Sequence, residues 1–155
     1  MTFVYESAVQ PDWIDYNGHM RDAFYGLVFS YAVDALQDEV GLDAAYREAS
    51  GATIYLVEGH TFFLAEVKEG DALLVETRVI AADAKRFHLH SMMLSGGVPR
   101  AVAEYMELHV VQHPAPKAAP MPEEIAGRIK AVCLTETEIA ALPHRARAMG
   151  FGASR

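Results

Sequence analysis

The sequence has little cysteine, little positive charge and no long apolar run. Its single cysteine, Cys133, excludes an internal disulfide and any zinc or redox site built on a Cys-x-x-Cys pair. Lysine and arginine total 13 against 21 acidic residues, and the net charge of −8 excludes a basic surface for nucleic acid or an anionic membrane. The longest nearly uncharged apolar stretch, residues 23–36, contains Ser30 and Asp34 and is too short to span a bilayer.

Several enzyme signatures are also absent. The chain has no Gly-x-Ser-x-Gly motif for a serine nucleophile and no glycine pattern typical of dinucleotide or phosphate loops. Residues 1–6 lack the basic and apolar regions of a secretory signal, so we expect a cytoplasmic protein. The remaining picture is a chain of 155 residues, 52% hydrophobic and 22% charged, which suits one globular core with a short appendage.

The first third of the chain predicts one strand and a long helix. Residues 3–10 alternate and are rich in aromatic and β-branched side chains, as in a strand, and residues 13–20 form a polar loop. From Asp22 onward apolar side chains recur at helical spacing until Gly41, a typical C-terminal cap. A second apolar set covers much of the remaining helix surface, which indicates that other elements enclose this helix. A short second helix follows at residues 42–50.

The middle of the chain predicts four further strands joined by short turns. Short connections between consecutive strands require antiparallel neighbours. The sequence therefore indicates an α+β fold, in which a curved antiparallel sheet of about five strands wraps the long helix. The four further strands are residues 53–68, 72–82, 85–94 and 100–112.

The C-terminal part differs in composition. Four of the seven prolines fall within residues 114–122, which predicts a linker. Residues 123–134 have helical spacing, and Thr135 with Glu138 offers a capping box for one more helix. We expect the tail helices to pack on the outside of the core. The predicted organisation is a main domain at residues 1–113, a proline-rich linker at 114–122 and a helical tail at 123–155.

The polar loop carries the chemically informative residues. Asp15, Asn17 and His19 place a carboxylate, an amide and an imidazole within five residues, which supplies a base or nucleophile, a positioning group and a proton shuttle. The helix that follows begins with unpaired N–H groups, which can stabilise the charge that develops on a carbonyl oxygen during acyl transfer. The structural alternative is that Asp15 and Asn17 make a turn and Asp22 caps the helix.

The loop also carries a recognisable pattern. The Asp-x-Asn-x-His-x-x-Asp-x-x-Tyr pattern that begins at Asp15 resembles the signature of hotdog-fold acyl thioesterases. Plant acyl-carrier-protein thioesterases have a similar Asp-x-Asn-x-His loop, and 4-hydroxybenzoyl-CoA-type thioesterases have an aspartate at the matching position. Over residues 4–111 the chain is more similar to bacterial betainyl-CoA thioesterases of carnitine degradation. The motifs that carry this likeness are residues 13–20 (WIDYNGHM), 58–60 (EGH), 63–66 (FLAE) and 83–88 (DAKRFH).

This resemblance implies a fold, an activity and an assembly. Hotdog domains wrap a helix in a curved antiparallel sheet and typically pair as homodimers or dimers of dimers, with two active sites at the interface. The implied activity is hydrolysis of a small acyl-CoA, with betainyl-CoA as the first expectation, and with no metal or organic cofactor. The resemblance makes Asp15 the nucleophile or the general base, and gives Asn17 and His19 the task of holding the reacting groups.

Aromatic residues near the loop suit a quaternary ammonium group, because aromatic faces attract cations. Arg21 departs from the family pattern, which often has asparagine there, and a guanidinium in the pocket would repel such a cation. We expect Arg21 to turn toward solvent or toward CoA phosphates. The aromatic residues expected in the site are Trp13, Tyr16 and Tyr25.

Two further pairs are candidate substrate contacts. Glu58 and His60 share one face of a predicted strand with apolar neighbours, so we expect both to point toward the helix and the pocket. The alternative is a solvent-facing pair. Lys85 and Arg86 stand at a turn in an acidic chain and could bind the phosphates of CoA, although an ordinary charged turn has the same composition.

Histidines spaced two and four apart raise the question of a metal site. No third histidine or carboxylate at a diagnostic spacing completes a ligand set, so the sequence predicts no metal. The residues concerned are His88, His90, His109 and His113.

Two other functions remain open at the level of the sequence. A hotdog-fold hydratase or dehydratase would share the architecture but place its histidine and acid differently. A non-catalytic protein of the same fold would bind acyl-CoA without releasing thiol.

Overall fold

The computed structural model describes residues 1–149, in which strands form one sheet around a long helix. The strands are β1 (Phe3–Ala8), β2 (Ala52–Phe63), β3 (Ala72–Ala82), β4 (Arg86–Ser95), β5 (Val98–Val111) and β6 (Lys117–Ala118). The helices are α1 (Asp22–Val40), α2 (Ala44–Ser50), α3 (Glu123–Ala131) and α4 (Glu136–Ala140), and a 3-10 turn, Pro11–Trp13, precedes the polar loop. None of these helices is long and apolar enough to cross a membrane.

The sheet has the order β1-β3-β4-β5-β2, with β6 paired to the end of β5. Every neighbouring pair is antiparallel. Short turns explain the centre of this order, because β3, β4 and β5 follow one another along the chain as neighbours. β1 and β2 form the two edges. The predicted architecture, an antiparallel sheet wrapped around one helix, is confirmed.

α1 packs against one face of the sheet, which we call the inner face. Val28, Phe29 and Leu36 are fully buried there, as the two apolar sets of this helix predict. Gly41 ends the helix with a φ of 93°, and this left-handed conformation lets its N–H donate back into the last turn. The sheet side chains that complete the core include Val75, Val79, Phe87, Leu89, Met93 and Tyr105.

A β-bulge in β2 changes the face that its side chains occupy. Leu56 and Glu58 are opposite consecutive residues of β5, so Val57 is an extra residue between two regular pairs. Leu56 therefore borders α1, whereas Glu58 and His60 lie on the opposite, outer face. The prediction that Glu58 and His60 point toward the helix is wrong, because the bulge breaks the alternation on which it depended.

The chain after β5 contributes to the main core, which corrects the expectation that the tail packs only on the outside. Ile125 and Ile129 of α3 are buried in the same cluster as the α1 side chains, together with Met121. β6 lies inside the predicted linker, where proline-rich composition conceals a two-residue strand. The predicted capping box of α4 is present between Thr135 and Glu138. The division into three segments stays a prediction, and residues 150–155 of the predicted tail lie outside the described part.

Residues 143–148, which we call the C-terminal strap, cross the outer face of the sheet. Arg145 donates two hydrogen bonds, of 2.9 and 3.1 Å, to the buried carboxylate of Glu104, and the Ala146 N–H donates one of 2.7 Å. Strap side chains also stand over the ring of Phe62. Burial raises the pKa of Glu104, but the hydrogen bonds from the strap outweigh burial and hold this pKa below its usual value.

Candidate active site

The loop between the 3-10 turn and α1 is closed by its own backbone. Ile14 and Met20 form an antiparallel bridge, and inside it the N–H of Asp15 donates to the carbonyl oxygen of His19 at 2.9 Å. The N–H of Gly18 donates to the carbonyl oxygen of Asp15 at 3.0 Å. Gly18 has a φ of 78°, which glycine adopts without strain. These hydrogen bonds fix the backbone conformation of the loop that carries the polar side chains.

The carboxylate of Asp15 is fixed by its neighbour. Its Oδ1 accepts a hydrogen bond of 2.8 Å from the backbone N–H of Asn17, which is the geometry of an Asx turn. The contact uses the backbone of Asn17 and does not depend on its amide side chain. The structural turn that the sequence allowed is thus present, and it fixes the direction of the Asp15 carboxylate.

His19 is paired with an acidic residue that the sequence analysis did not select. Its Nε2 lies 3.0 Å from Oε2 of Glu66, just beyond the end of β2. His19 is partly buried, whereas Glu66 is largely exposed. A carboxylate at this distance orients the imidazole, as a proton-transferring group requires. The sequence carried the signal, since Glu66 belongs to one of the motifs of the family resemblance.

These side chains share an open cavity of about 630 Å³, which we call the loop cavity. The Tyr25 and Phe63 rings pack nearly perpendicular to each other, with ring centroids 5.2 Å apart, and burial is the main cause that raises the pKa of Tyr25. The first turn of α1, which carries the positive end of the helix dipole, borders the same space. Its principal lining residues are Asp15, Asn17, His19, Tyr25, Phe63 and Glu66.

The start of α1 differs in detail from the expectation. Arg21 is the N-cap residue, and Asp22 is the first helical residue, with its carboxylate accepting a hydrogen bond from the Ala23 N–H at 2.9 Å. Arg21 is exposed and lies outside the lining of the loop cavity. The expected orientation of Arg21, away from the pocket, is therefore found, while Asp22 remains inside the lining.

Only one of the three expected aromatic residues, Tyr25, lines the loop cavity. Trp13 is 9% exposed and stacks on Phe24 with ring centroids 5.4 Å apart, so it belongs to the core. Tyr16 is 93% exposed. The structure does not place Trp13 and Tyr16 in the cavity, because the 3-10 turn directs Trp13 against the first turn of α1 and the loop directs Tyr16 toward solvent.

Glu58 and His60 line a different cavity, of about 390 Å³, on the outer face of the sheet. Glu104 of β5 and Arg147 of the C-terminal strap line it as well. The sheet separates this outer cavity from the loop cavity. One protomer therefore does not bring Glu58 or His60 to Asp15.

Lys85 and Arg86 lie at the turn between β3 and β4. Nε and Nη2 of Arg86 donate to Oδ2 of Asp83 at 2.9 and 2.6 Å, and these hydrogen bonds lower the pKa of Asp83. Arg86 is opposite Leu108 of β5, whereas the end of β2, next to the loop cavity, is opposite Ala101 of the same strand. Leu108 and Ala101 are seven residues apart along β5. At ~3.3 Å per residue this separation is about 23 Å. One protomer does not bring these cations to the loop cavity, and their role in CoA binding stays a prediction.

The histidines that could have formed a metal site are engaged by protein groups. Within residues 1–149 no group of three or more histidine, cysteine, aspartate or glutamate side chains is arranged to hold a metal ion. His113 is exposed. The partners are the Glu104 carboxylate for His88, the Pro143 carbonyl oxygen for His90 and the Tyr46 hydroxyl for His109, each at 2.8 Å.

Comparisons with known proteins agree with this geometry. A betainyl-CoA thioesterase of Pseudomonas aeruginosa is 47% identical over 130 residues, which cover 83% of this chain and 81% of that protein. An L-carnitine dehydrogenase/betainyl-CoA thioesterase of Agrobacterium fabrum is 40% identical over 153 residues, covering 86% of this chain and 31% of that longer protein. A Staphylococcus aureus protein solved in complex with CoA has a TM-score of 0.81 at 28% identity, and the alignment covers 96% of each chain.

The family is settled by a match that includes both the loop and the sheet. Residues 9–129, which include the loop, α1 and β2 to β5, match the family model of the thioesterase-like superfamily. The antiparallel sheet around α1 is the hotdog fold of these relatives. The chain therefore belongs to the thioesterase-like superfamily and is a hotdog-fold acyl-CoA thioester hydrolase.

Proposed function

We propose that the protein hydrolyses betainyl-CoA to the free acid and CoA, as a step of carnitine breakdown. The observation that carries this proposal is the Asp15 carboxylate, fixed by the Asn17 N–H at 2.8 Å beside His19 and the first turn of α1 in one cavity. The similarity to two relatives whose names include betainyl-CoA thioesterase supports the choice of acyl group.

The proposed chemistry uses the carboxylate and the imidazole on one carbonyl. Asp15 either activates a water molecule that attacks the thioester carbon or attacks this carbon itself, in which case water then hydrolyses the resulting acyl anhydride; on both routes the positive end of α1 stabilises the oxyanion. The carbon–sulfur bond then breaks, and His19 is positioned to move a proton toward the departing thiolate. Glu66 orients His19, while the Tyr25 and Phe63 rings contact the acyl group.

The charge of the loop cavity favours a cationic acyl group. Its lining includes the carboxyl groups of Asp15, Asp22 and Glu66, and no lysine or arginine of the described chain lines it. A trimethylammonium group cannot form conventional hydrogen bonds with a carboxylate, so Coulomb attraction and aromatic faces have to hold it. The edge-on pair of Tyr25 and Phe63 supplies aromatic surface at this point.

We expect the active form to be a homodimer, or a dimer of such dimers, joined through β2. β2 pairs with β5 on one side only, which leaves a row of backbone N–H and C=O groups on the other side. Tyr55, Leu56 and Val57 are exposed near this edge although they are apolar. Pairing of two β2 strands would cover the edge and these side chains together, and it would close the open side of the loop cavity.

Replacing Asp15 by asparagine tests the proposed catalytic role. We expect Asp15→Asn to lower the rate of thiol release from betainyl-CoA by about 10²–10⁴ with the fold intact, because it removes the reacting carboxylate and keeps its shape. Asp12→Asn is the matched control, since Asp12 is exposed three residues earlier and lies outside the loop cavity. Near-normal thiol release by the Asp15→Asn variant would reject the proposed site.

Incubation with an enoyl-CoA separates hydrolysis from hydration. A thioesterase releases free thiol and leaves the double bond of the acid, whereas a hydratase consumes the double bond without releasing thiol. A non-catalytic protein would bind the enoyl-CoA and change neither its thioester nor its double bond. We expect thiol release alone.

A further inference from the structure

Glu107 of β5 is a buried carboxyl group that the proposed chemistry does not use. It is 4% exposed and lies on the inner face of the sheet, beneath α1. Within residues 1–149 its side chain forms no hydrogen bond and no ion pair. It lines a small cavity of about 120 Å³, which we call the acidic cavity, between α1, β2 and β5. Its carboxyl group opens onto this cavity and has no protein partner there among the described residues, which is costly for a largely buried acid and calls for a ligand or a functional explanation.

The surroundings of Glu107 increase that cost instead of relieving it. Burial, and after it the neighbouring charge of Asp34, together raise the pKa of Glu107 to about 7. Asp34 faces it from α1 and also has a raised pKa, caused first by burial. The charge of Arg47 partly offsets this rise for Asp34, but the Arg47 guanidinium donates to the carbonyl oxygen of Leu42 at 2.7 Å and does not line the acidic cavity. Two acids thus face one cavity without a cation between them.

The size and lining of the acidic cavity indicate which cation would fit. A volume of about 120 Å³ holds a group of the size of roughly four water molecules at ~30 Å³ each. Most of the remaining wall is apolar or aromatic, with Leu56 on β2 and the Tyr105 ring on β5. Two carboxyl groups are too few for a bare metal ion, whereas carboxylates combined with apolar and aromatic surface suit a methylated ammonium group.

The position of the acidic cavity connects it to catalysis in a second protomer. β2 runs antiparallel to α1 along the exposed edge. Phe63 at one end of β2 lies against Tyr25 near the start of α1, while Leu56 and Asp34 border the acidic cavity farther along both elements. Antiparallel pairing of two β2 strands centred between Gly59 and His60 sets Leu56 of one protomer opposite Phe63 of its partner. Such pairing places the loop cavity of each protomer beside the acidic cavity of its partner.

We infer that Glu107, assisted by Asp34, is the carboxylate that recognises the quaternary ammonium end of an acyl group bound in the partner's loop cavity. This inference rests on the proposed function, because it takes its cationic acyl group from there. It assigns the acceleration of ester cleavage to one protomer and the selection of the charged acyl group to the other.

The test compares two acyl groups of equal shape and different charge. Betainyl-CoA and 3,3-dimethylbutyryl-CoA differ only in a quaternary nitrogen against a quaternary carbon. We expect Glu107→Gln to lower kcat/KM for betainyl-CoA by about 10- to 100-fold, mostly through KM, because an ionic contact is lost. The value for the neutral ester should change by less than about threefold. Glu48→Gln, an exposed carboxylate of α2, is the control.

The outcomes separate the two proposals. A wild-type enzyme that cleaves both esters equally well rejects betainyl-CoA as the preferred substrate, and this inference with it. A wild-type preference that survives in Glu107→Gln overturns the inference alone. A circular dichroism spectrum and a mass like those of the wild type show that the Glu107→Gln variant has folded and assembled. Asp34→Asn, on the surface of α1, should shift the preference in the same direction by a smaller factor.

Mixed dimers test the contribution of the partner. A dimer with Asp15→Asn in one subunit and Glu107→Gln in the other has one intact Asp15, and the inference pairs it with the intact Glu107 of the other subunit. We expect such a dimer to retain the wild-type preference for betainyl-CoA at half the wild-type rate. A preference reduced to that of the Glu107→Gln homodimer would show that Glu107 serves its own subunit, and would overturn the arrangement across the edge.

Discussion

The contact between His19 and Glu66 can be broken by changing one largely exposed residue. Because Glu66 is largely exposed, the pair should contribute no more than about 0.2–1 kcal/mol. At 1.4 kcal/mol per factor of ten, we expect Glu66→Gln to lower kcat by at most about fivefold. Steady-state thiol release measures this change, with Glu69→Gln as the exposed control. A loss of a hundredfold or more would mean that Glu66 takes part in the reaction itself.

Glu107 predicts an unusual dependence of stability on pH. Its pKa of about 7 in the folded chain lies above the ordinary value of 4.5. The folded state therefore holds this proton more tightly, and the stability linked to it is full below about pH 4.5 and lost as the pH rises to about 7. This difference in pKa corresponds to about 3 kcal/mol of unfolding free energy. We expect Glu107→Gln to be about 3 kcal/mol more stable than the wild type at pH 8.

Urea unfolding of both proteins at pH 8 and at pH 4 measures this difference. The Gln variant should gain stability at pH 8 and little at pH 4, where Glu107 is protonated in both states. An equal stability of the two proteins at pH 8 would contradict the prediction. A gain would also show that the native residue is retained at the expense of stability, as residues at functional sites often are.

The grouping of Asp15, Asn17 and His19 in one cavity could be predicted from the sequence because they lie within five residues and share one local backbone. Glu66 could not be assigned to His19, since only the end of β2 brings it there. Glu107 carried no signal at all. A glutamate within a strand reads as solvent-facing until the helix above that strand is known.

At the level of elements, the attachment of the strap depends on one buried carboxylate. Glu104 accepts hydrogen bonds from Arg145 and from the backbone of Ala146. Hydrogen bonds to a charged group typically contribute about 1.5–3 kcal/mol. We expect Glu104→Gln to release the strap and to speed trypsin cleavage after Arg145 at least tenfold, while Glu69→Gln in the exposed segment before β3 leaves the cleavage rate unchanged. Mass spectrometry of the early fragments identifies the cleavage site, and equal cleavage of both variants would show that other contacts hold the strap.

Elements with a strong local signal were predicted well, and elements defined by distant partners were not. β3 has the predicted bounds, and α1 begins and ends where Asp22 and Gly41 indicated. β6 has two residues and exists because β5 extends beyond β4. The bulge at Val57 is a second example, since nothing in the local pattern of β2 announces an extra residue. Its effect was large, because it reversed the predicted face of Glu58.

At the level of the whole molecule, the two edges of the sheet allow a matched test of assembly. Val57 on β2 and Val4 on β1 are exposed to a similar extent, 52% and 50%. We expect Val57→Lys to shift the mass measured by light scattering at micromolar concentration from that of a dimer toward that of one chain, because the charge resists burial in the interface. Val4→Lys should remain dimeric. A wild-type mass of one chain, or dissociation caused only by Val4→Lys, would contradict the proposed edge.

The strap has a consequence for what happens when the protein is diluted. A cover that belongs to the same chain acts at an effective concentration that dilution does not change, whereas a contact between subunits weakens by mass action. In the proposed dimer, protomers that separate at low concentration therefore keep Phe62 and the surrounding outer face shielded. The edge of β2 is the apolar region that dilution of this proposed dimer newly exposes, and re-association is directed to that edge.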